Sequence, residues 1–337
     1  MNRKYLGCLI GAAAGDAIGA PTETRNPTRI ISHFNGPVRT FLAPPNDVFA
    51  RGNKPGQVTD DFSLAYVTLQ TILDANELTT HSATQSLIHW ASDEYSYVHL
   101  AGPTTLAKIQ QLKDPRQNIT PDFVVASDNA KATNGLAMKI SPIALLSHGD
   151  IDKALSMTLT IGMVTHHNTI AMAAGCAVAA ATAQALQTNT SLQDILDVAV
   201  NAAVRGEKLA LEQGADDLAG SNVARRIQKA VEIAQQAEST TQGIQDLIDY
   251  IGTGILAYES VPTAFGLLAL FPSDPLEALY AAVNIGNDTD TIATIVGGII
   301  GALHTDTIFP DDYLTTIDTA NNYDLVALAK RIQSWSH

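Results

Sequence analysis

The chain has 337 residues, of which 46% are hydrophobic and 16% charged, and a formal net charge of −14. That length can bury a large core, while the acidic balance and the lack of any Lys/Arg run exclude the basic patches that nucleic acids and anionic membranes require. Two cysteines, Cys8 and Cys176, make neither a disulfide framework nor a zinc pattern, so a reducing, cytoplasmic setting is expected.

Aromatics are only 6% of the chain, so its core must come from Ala, Leu, Ile and Val, a composition that suits closely packed helices. Arg3-Lys4 followed by Tyr5 to Ala14 resembles a signal peptide, but the apolar stretch is short and interrupted by glycine. Leu6 to Ala17 reads instead as a helix with Gly7, Gly11 and Gly15 on one face at spacing four, which admits a second helix at close range. Glu23 follows in a loop, and the Pro, Gly and Asn content of Thr24 to Gln57 predicts a long irregular crossing, usually a functional one at that length.

Helical spacing resumes over Phe62 to Asn76, Ser82 to Ser92 and Pro103 to Leu112. Ile119 to Asn134 is polar and irregular, and Gly135 to Leu146 is apolar again around Pro142. Downstream, helices are expected over Ile151 to Leu159, Thr169 to Thr188, Leu192 to Leu211, Asn222 to Gln236 and Gly243 to Ile251. Val261 to Leu270, Pro275 to Val283, Thr291 to His304 and Tyr323 to Trp335 complete the series. No strand pattern, fixed repeat or linker interrupts it, so the expectation is one all-α domain over residues 1–337. Thr169 to Leu186 is long but mostly Ala, too weakly hydrophobic to be read as a membrane span.

Chemistry concentrates in Gly286-Asn287-Asp288-Thr289-Asp290-Thr291, two carboxylates and hydroxyls running straight into an apolar helix. If the segment is extended up to the helix, Asp288 and Asp290 point to one side, where a hard cation would find oxygen donors. The bland alternative is helix capping by the same oxygens. Thr59-Asp60-Asp61 repeats this grammar at a second loop-to-helix junction. Together the two corners offer four carboxylates, whose −4 two divalent ions would neutralise, so stability is expected to depend on metal. Asp16 reads as a helix-end hydrogen-bond acceptor, and Asp93-Glu94, Asp216-Asp217 and Asp311-Asp312 as solvated surface.

These blocks resemble the ADP-ribosylglycohydrolases, including the dinitrogenase-reductase-activating glycohydrolases of bacteria. The likeness is carried by Gly11 to Gly19 with Glu23, by Thr59-Asp60-Asp61, by Asn134-Gly135-Leu136-Ala137-Met138-Lys139 with Pro142, by Gly286 to Thr291, and more weakly by Thr165-His166. The resemblance implies a compact orthogonal array of helices around a dinuclear Mg²⁺ or Mn²⁺ site. It places Thr59, Asp60, Asp61, Asp288, Asp290 and Thr291 on the metal-ligand positions, with Asp61 and Asp288 also at the reacting centre. Glu23 falls on an acidic loop residue that guards or works on the scissile bond, and Asn134, Gly135 and His166 fall near the diphosphate and distal ribose. Without the resemblance, Glu23 is an ordinary loop acid and His166 a packing histidine.

The implied activity is hydrolysis of an N- or O-glycosidic bond to an ADP-ribosyl or related ribosyl group, on an ADP-ribosylated protein or a small molecule. Three departures bear on the substrate. Phe62 stands where relatives usually carry Thr, Leu136 replaces a small residue and is expected to narrow the diphosphate pocket, and Tyr97 to Gly102 offers His99 but no carboxylate. A nucleoside or another small ribosyl compound fits a narrowed pocket at least as well as ADP-ribosyl-arginine. The rivals are a metal-dependent phosphoesterase and a non-catalytic, crystallin-like member of the family.

Overall fold

A computed structural model of the chain describes residues 3–113 and 128–336. In these the secondary structure is helical, and β pairing is confined to two isolated bridges. The expected irregular stretch from Ile119 lies outside the described residues as far as 127, beyond which Asp128–Lys131 form a 3₁₀ turn.

The helices in order are α1 (Arg3–Gly19), α2 (Pro27–Phe34), α3 (Asp60–Ala75), α4 (Thr80–Trp90), α5 (Pro103–Lys113) and α6 (Ala137–Ala144). They continue with α7 (Ile151–Thr165), α8 (Thr169–Leu186), α9 (Leu192–Glu212), α10 (Val223–Gln236), α11 (Thr240–Asp246) and α12 (Ala257–Leu270). The last are α13 (Pro275–Asn284), α14 (Thr289–His304), α15 (Asp312–Asn321) and α16 (Leu325–Ser334).

Helices α1, α8 and α14 carry small or aliphatic residues on every side and are buried on every side, so they form the centre about which amphipathic α9, α10 and α16 are wrapped. By length and apolarity α8 could cross a bilayer, yet nearly all of it is packed inside this core.

The glycine face of α1 meets α14 in antiparallel contact. A Cβ added at Gly7 would lie 2.3 Å from the Gly301 carbonyl oxygen, one at Gly11 2.0 Å from that of Gly297, and one at Gly15 2.2 Å from that of Ala293. No side chain fits such an interface, so the two backbones touch and the ends of both helices are held in fixed register. At the far end of the same row, Gly19 faces Asp290, whose Cα an added Cβ would approach to 2.6 Å.

Two expectations about elements need correction. The stretch from Thr24 to Gln57 contains α2, which Asn26 caps by accepting the Arg29 N–H at 2.9 Å and which Pro27 opens. Helix α14 begins at Thr289 rather than Thr291, because the backbone turns sharply just before it: Gly286 and Asn287 both have positive φ, 93° and 66°. Helix α15 was also not anticipated.

Candidate active site

Three chain segments meet at one end of the α1–α14 pair. The turn after α1 brings Glu23, the start of α3 brings Thr59, Asp60 and Asp61, and the start of α14 brings Asp288, Asp290 and Thr291. All seven line a cavity of about 540 Å³, a size suited to a substrate of nucleotide dimensions.

Capping does not account for the acidic residues. Thr59 and Asp288 occupy the N-cap positions of α3 and α14, but neither side chain makes a capping bond. That work falls to Asp16 for α3: its Oδ1 accepts from the Thr59 N–H at 2.8 Å and from Thr59 Oγ1 at 2.8 Å, and its Oδ2 accepts from the Phe62 N–H at 2.9 Å. Asp16 is therefore the helix-end acceptor its sequence position suggests, acting on another helix. Burial lifts its pKa to about 6 against the opposing pull of these bonds from Phe62 and Thr59.

The remaining carboxylates are oriented by neutral donors. Thr291 Oγ1 donates to Asp61 Oδ1 at 2.7 Å, which ties the two acidic corners together directly. Asn134 Nδ2 donates to Asp288 Oδ2 at 2.6 Å, and the Gly102 N–H to Asp60 Oδ2 at 3.3 Å. The extended geometry expected for Asp288 and Asp290 is not what makes them converge: Asp288 is the cap residue and Asp290 lies in the first helical turn.

The turn that carries Glu23 is tied to the segment leading into α14. The Thr24 N–H donates to the Asn287 carbonyl at 2.8 Å and the Asn287 N–H to the Arg25 carbonyl at 2.8 Å, so the turn is stitched to the residue preceding Asp288. Buried Arg25 braces it further by donating to the Pro21 carbonyl and pairing with Asp47. Carboxylate oxygens of Glu23, Asp288 and Asp290 lie within 4.8 Å of one another, which adds Glu23 to the donors able to hold a metal ion.

Among the described residues none of these five carboxylates forms an ion pair. Burial, then mutual repulsion, pushes Glu23, Asp61 and Asp290 well above the usual carboxylate range. Burial and the nearby charge of Asp16 bring Asp60 to about 7, and burial raises Asp288 against the opposing bond from Asn134. Lys139, 4% exposed, is lowered to about 8 by its own burial, partly offset by Asp60. A buried, all-oxygen donor set that disfavours its own ionisation is what a hard divalent cation would relieve.

Asn134, Gly135 and His166 also line the cavity. His166 is 1% exposed, with Nε2 at 3.1 Å from Thr133 Oγ1 and Nδ1 at 2.7 Å from Thr165 Oγ1, and burial pushes its pKa down to about 3, so it is neutral. Gly135 must be glycine because a Cβ there would lie 2.8 Å from His166 Nε2.

Leu136 behaves otherwise than expected. It is fully buried, with Cδ2 filling the gap left by Gly162 and Gly175 on α7 and α8, and does not line the cavity, so it narrows nothing. The Tyr97 to Gly102 stretch does form a wall of the cavity, largely through a helical turn over Ser96–Leu100. The three acidic surface pairs are exposed, as expected.

Sequence reasoning missed the outer lining. Phe49, Val98 and Ile255, 59%, 58% and 50% exposed, stand with Arg51 on the cavity wall, giving it an apolar part that the acidic end lacks. Their only signal was a position in Pro/Gly-rich or loop segments.

The family model for ADP-ribosylglycohydrolase matches residues 1–336. The chain belongs to the ADP-ribosylglycohydrolase family. It is accordingly a hydrolase. Relatives of this family member include the protein YegU of Escherichia coli (strain K12), 28% identical over 98% of this chain and 97% of its own length. An Archaeoglobus fulgidus protein is 30% identical over 90% of the chain and 88% of its length. The human ADP-ribosylhydrolase ARH3 is 24% identical over 96% of the chain and 92% of its length. A solved structure described as an ADP-ribosylglycohydrolase-related protein complex shares the fold, with a TM-score of 0.69 at 21% identity over 99% of this chain and 98% of that one.

Proposed function

We propose that the protein is a Mg²⁺-dependent glycoside hydrolase that removes an ADP-ribosyl or related ribosyl group from a protein side chain or a small molecule. The observation that carries this reading is the convergence of Glu23, Asp60, Asp61, Asp288 and Asp290, buried or half-buried and without an ion pair among the described residues, at one end of a nucleotide-sized cavity.

Thr59, Asp60, Asp61, Asp288, Asp290 and Thr291 are the proposed ligands of two ions, with Glu23 close enough to join them. Bound there, Mg²⁺ or Mn²⁺ would supply Lewis acidity toward the ribose hydroxyls and toward a water molecule. The chain's own residues do the rest. Thr291 and Asn134 hold Asp61 and Asp288 in place, so the carboxylates need no reorganisation as charge develops. Asn134, Gly135 and neutral His166 orient the sugar and its phosphates, while Phe49, Val98 and Ile255 meet the part beyond.

In the reaction the bond from the anomeric carbon to the leaving nitrogen or oxygen breaks, water oxygen bonds to that carbon, and the water proton ends on the leaving group. Glu23 is the proposed proton-transfer or sugar-orienting group, pinned beside Asp288 and Asp290 rather than closing over them as a lid.

The test is an assay with Mg²⁺ or Mn²⁺ of peptides ADP-ribosylated on arginine or serine beside plain nucleosides, reading sugar and phosphate release separately. Sugar release is expected, and Glu23→Gln should keep metal and lose most turnover. Phosphate release alone, or undiminished activity in Glu23→Gln, would overturn the reaction or the role respectively.

A further inference from the structure

The two halves of the site, metal-ligand segment and substrate loop, are both hung on one short loop that neither contributes to. This loop, residues 252–256, runs into α12. The Asp288 N–H donates to the Thr253 carbonyl at 3.0 Å, and the Asn134 N–H donates to the Ile255 carbonyl at 2.9 Å. The Ala257 N–H returns the link by donating to the Ala132 carbonyl at 2.9 Å. Two carbonyls on either side of Gly254 thus set the backbone position of Asp288 and of Asn134, whose side chains then meet at 2.6 Å.

What holds the loop is Glu259, from the first turn of α12. Its Oε2 accepts the Gly254 N–H at 3.1 Å. The fit is close: a Cβ at Gly254 would lie 2.5 Å from that oxygen, and one at Gly252, where φ is +91°, 3.2 Å from the Glu259 carboxylate. Thr263 Oγ1 donates to the Gly252 carbonyl at 2.7 Å and fixes the loop's other end.

We infer that Glu259 is a positioning residue: by accepting the Gly254 N–H it holds the 252–256 loop, and through that loop it couples divalent-cation binding at Asp288 to ribosyl-ligand binding at Asn134. The inference rests on the reading of the site proposed above. Such outer partners of a metal ligand are worth on the order of 10–100-fold in metal affinity.

Three variants of the full-length protein separate the hydrogen bond from the charge. Glu259→Gln keeps an acceptor oxygen at the same reach, Glu259→Asp keeps the charge but is one methylene too short, and Glu259→Ala removes both. The readouts are amide hydrogen exchange at Gly254, Asp288 and Asn134 without metal, Mn²⁺ affinity, and ADP-ribose affinity with and without Mn²⁺. Glu259→Asp and Glu259→Ala are expected to speed exchange at all three amides, weaken Mn²⁺ about tenfold or more, and abolish the gain in ADP-ribose affinity that Mn²⁺ brings. Glu259→Gln should stay close to the parent. If Glu259→Asp matches the parent while Glu259→Gln is impaired, or if all three amides exchange at parental rates in Glu259→Asp, the inference is wrong. A parent protein that binds no Mn²⁺ would defeat the metal reading alone, since the exchange measurement still judges Glu259.

Discussion

Adding one methyl group at Gly11 tests whether the α1–α14 contact governs the site. In helices generally, Gly→Ala raises stability by about 1 kcal/mol through backbone entropy. Here the new Cβ would lie 2.0 Å from the Gly297 carbonyl oxygen, against 3.4 Å for ordinary contact, so the backbones must part by the difference. Overpacking of this kind costs ~1–3 kcal/mol, and a rigid carbonyl rather than a flexible side chain puts the case at the upper end. The net is a loss of about 2 kcal/mol, or a fall of about 3 °C in Tm for a domain of 337 residues. Because Gly15 faces Ala293 and Gly19 faces Asp290 along the same row, the same displacement moves Glu23 away from Asp288 and Asp290. Thermal unfolding followed by circular dichroism, together with Mn²⁺ titration, should show lower Tm and weaker metal binding in Gly11→Ala. A Tm at or above that of the parent would mean that helix propensity outweighs packing and that the close approach is not what positions the site.

Acidity should act on the metal-free protein in the opposite sense to ordinary acid denaturation. Asp60 and Asp16, at about 7 and about 6 in the fold, hold protons more tightly than in the unfolded chain, so their contribution is full below the usual carboxylate pKa and is lost as pH rises through those values. In chelator, Tm should therefore rise as pH falls from 8 to 6.5, by less than the carboxylates alone would give, because over the same range His166 charges in the unfolded chain only and Lys139, at about 8 in the fold, takes up a proton while buried. Excess Mg²⁺ should raise Tm most at the alkaline end, where protons no longer compete for the oxygens, and a chelated protein whose Tm is flat from pH 8 to 6.5 would refute the account. Phe49→Ala, at an exposed position on the cavity wall, should leave Tm unchanged and raise KM about tenfold for ribosyl substrates bearing a base, by loss of a stacking contact, with kcat preserved. An unchanged KM would remove Phe49 from substrate binding.

Much of the site was legible because its signals are local. Glycines at spacing four announce a close helix partner, and Thr59-Asp60-Asp61 and Asp288-Thr289-Asp290-Thr291 announce hard oxygen donors at helix starts. Helix α2 was hidden by its surroundings: Asn26-Pro27 is a sound cap and first residue, but the density of Pro, Asn and Gly on both sides drew the stretch toward a loop. Leu136 was misjudged for a different reason. Position beside a binding loop says nothing of side-chain direction, and the empty space at Gly162 and Gly175, which draws Leu136 inward, belongs to helices far along the chain. The outer wall, built from Phe49, Arg51, residues 98–105 and Ile255, comes from loops, a single helical turn and the start of α5, whose meeting has no periodicity to betray it.

The assembly of the acidic end from residues 16–23, 59–61 and 288–291 also sets when the proposed centre can form. Glu23 and Asp288 are 265 positions apart in the chain, so during synthesis the first acidic segment waits for the last, and the proposed centre closes only once both have left the ribosome.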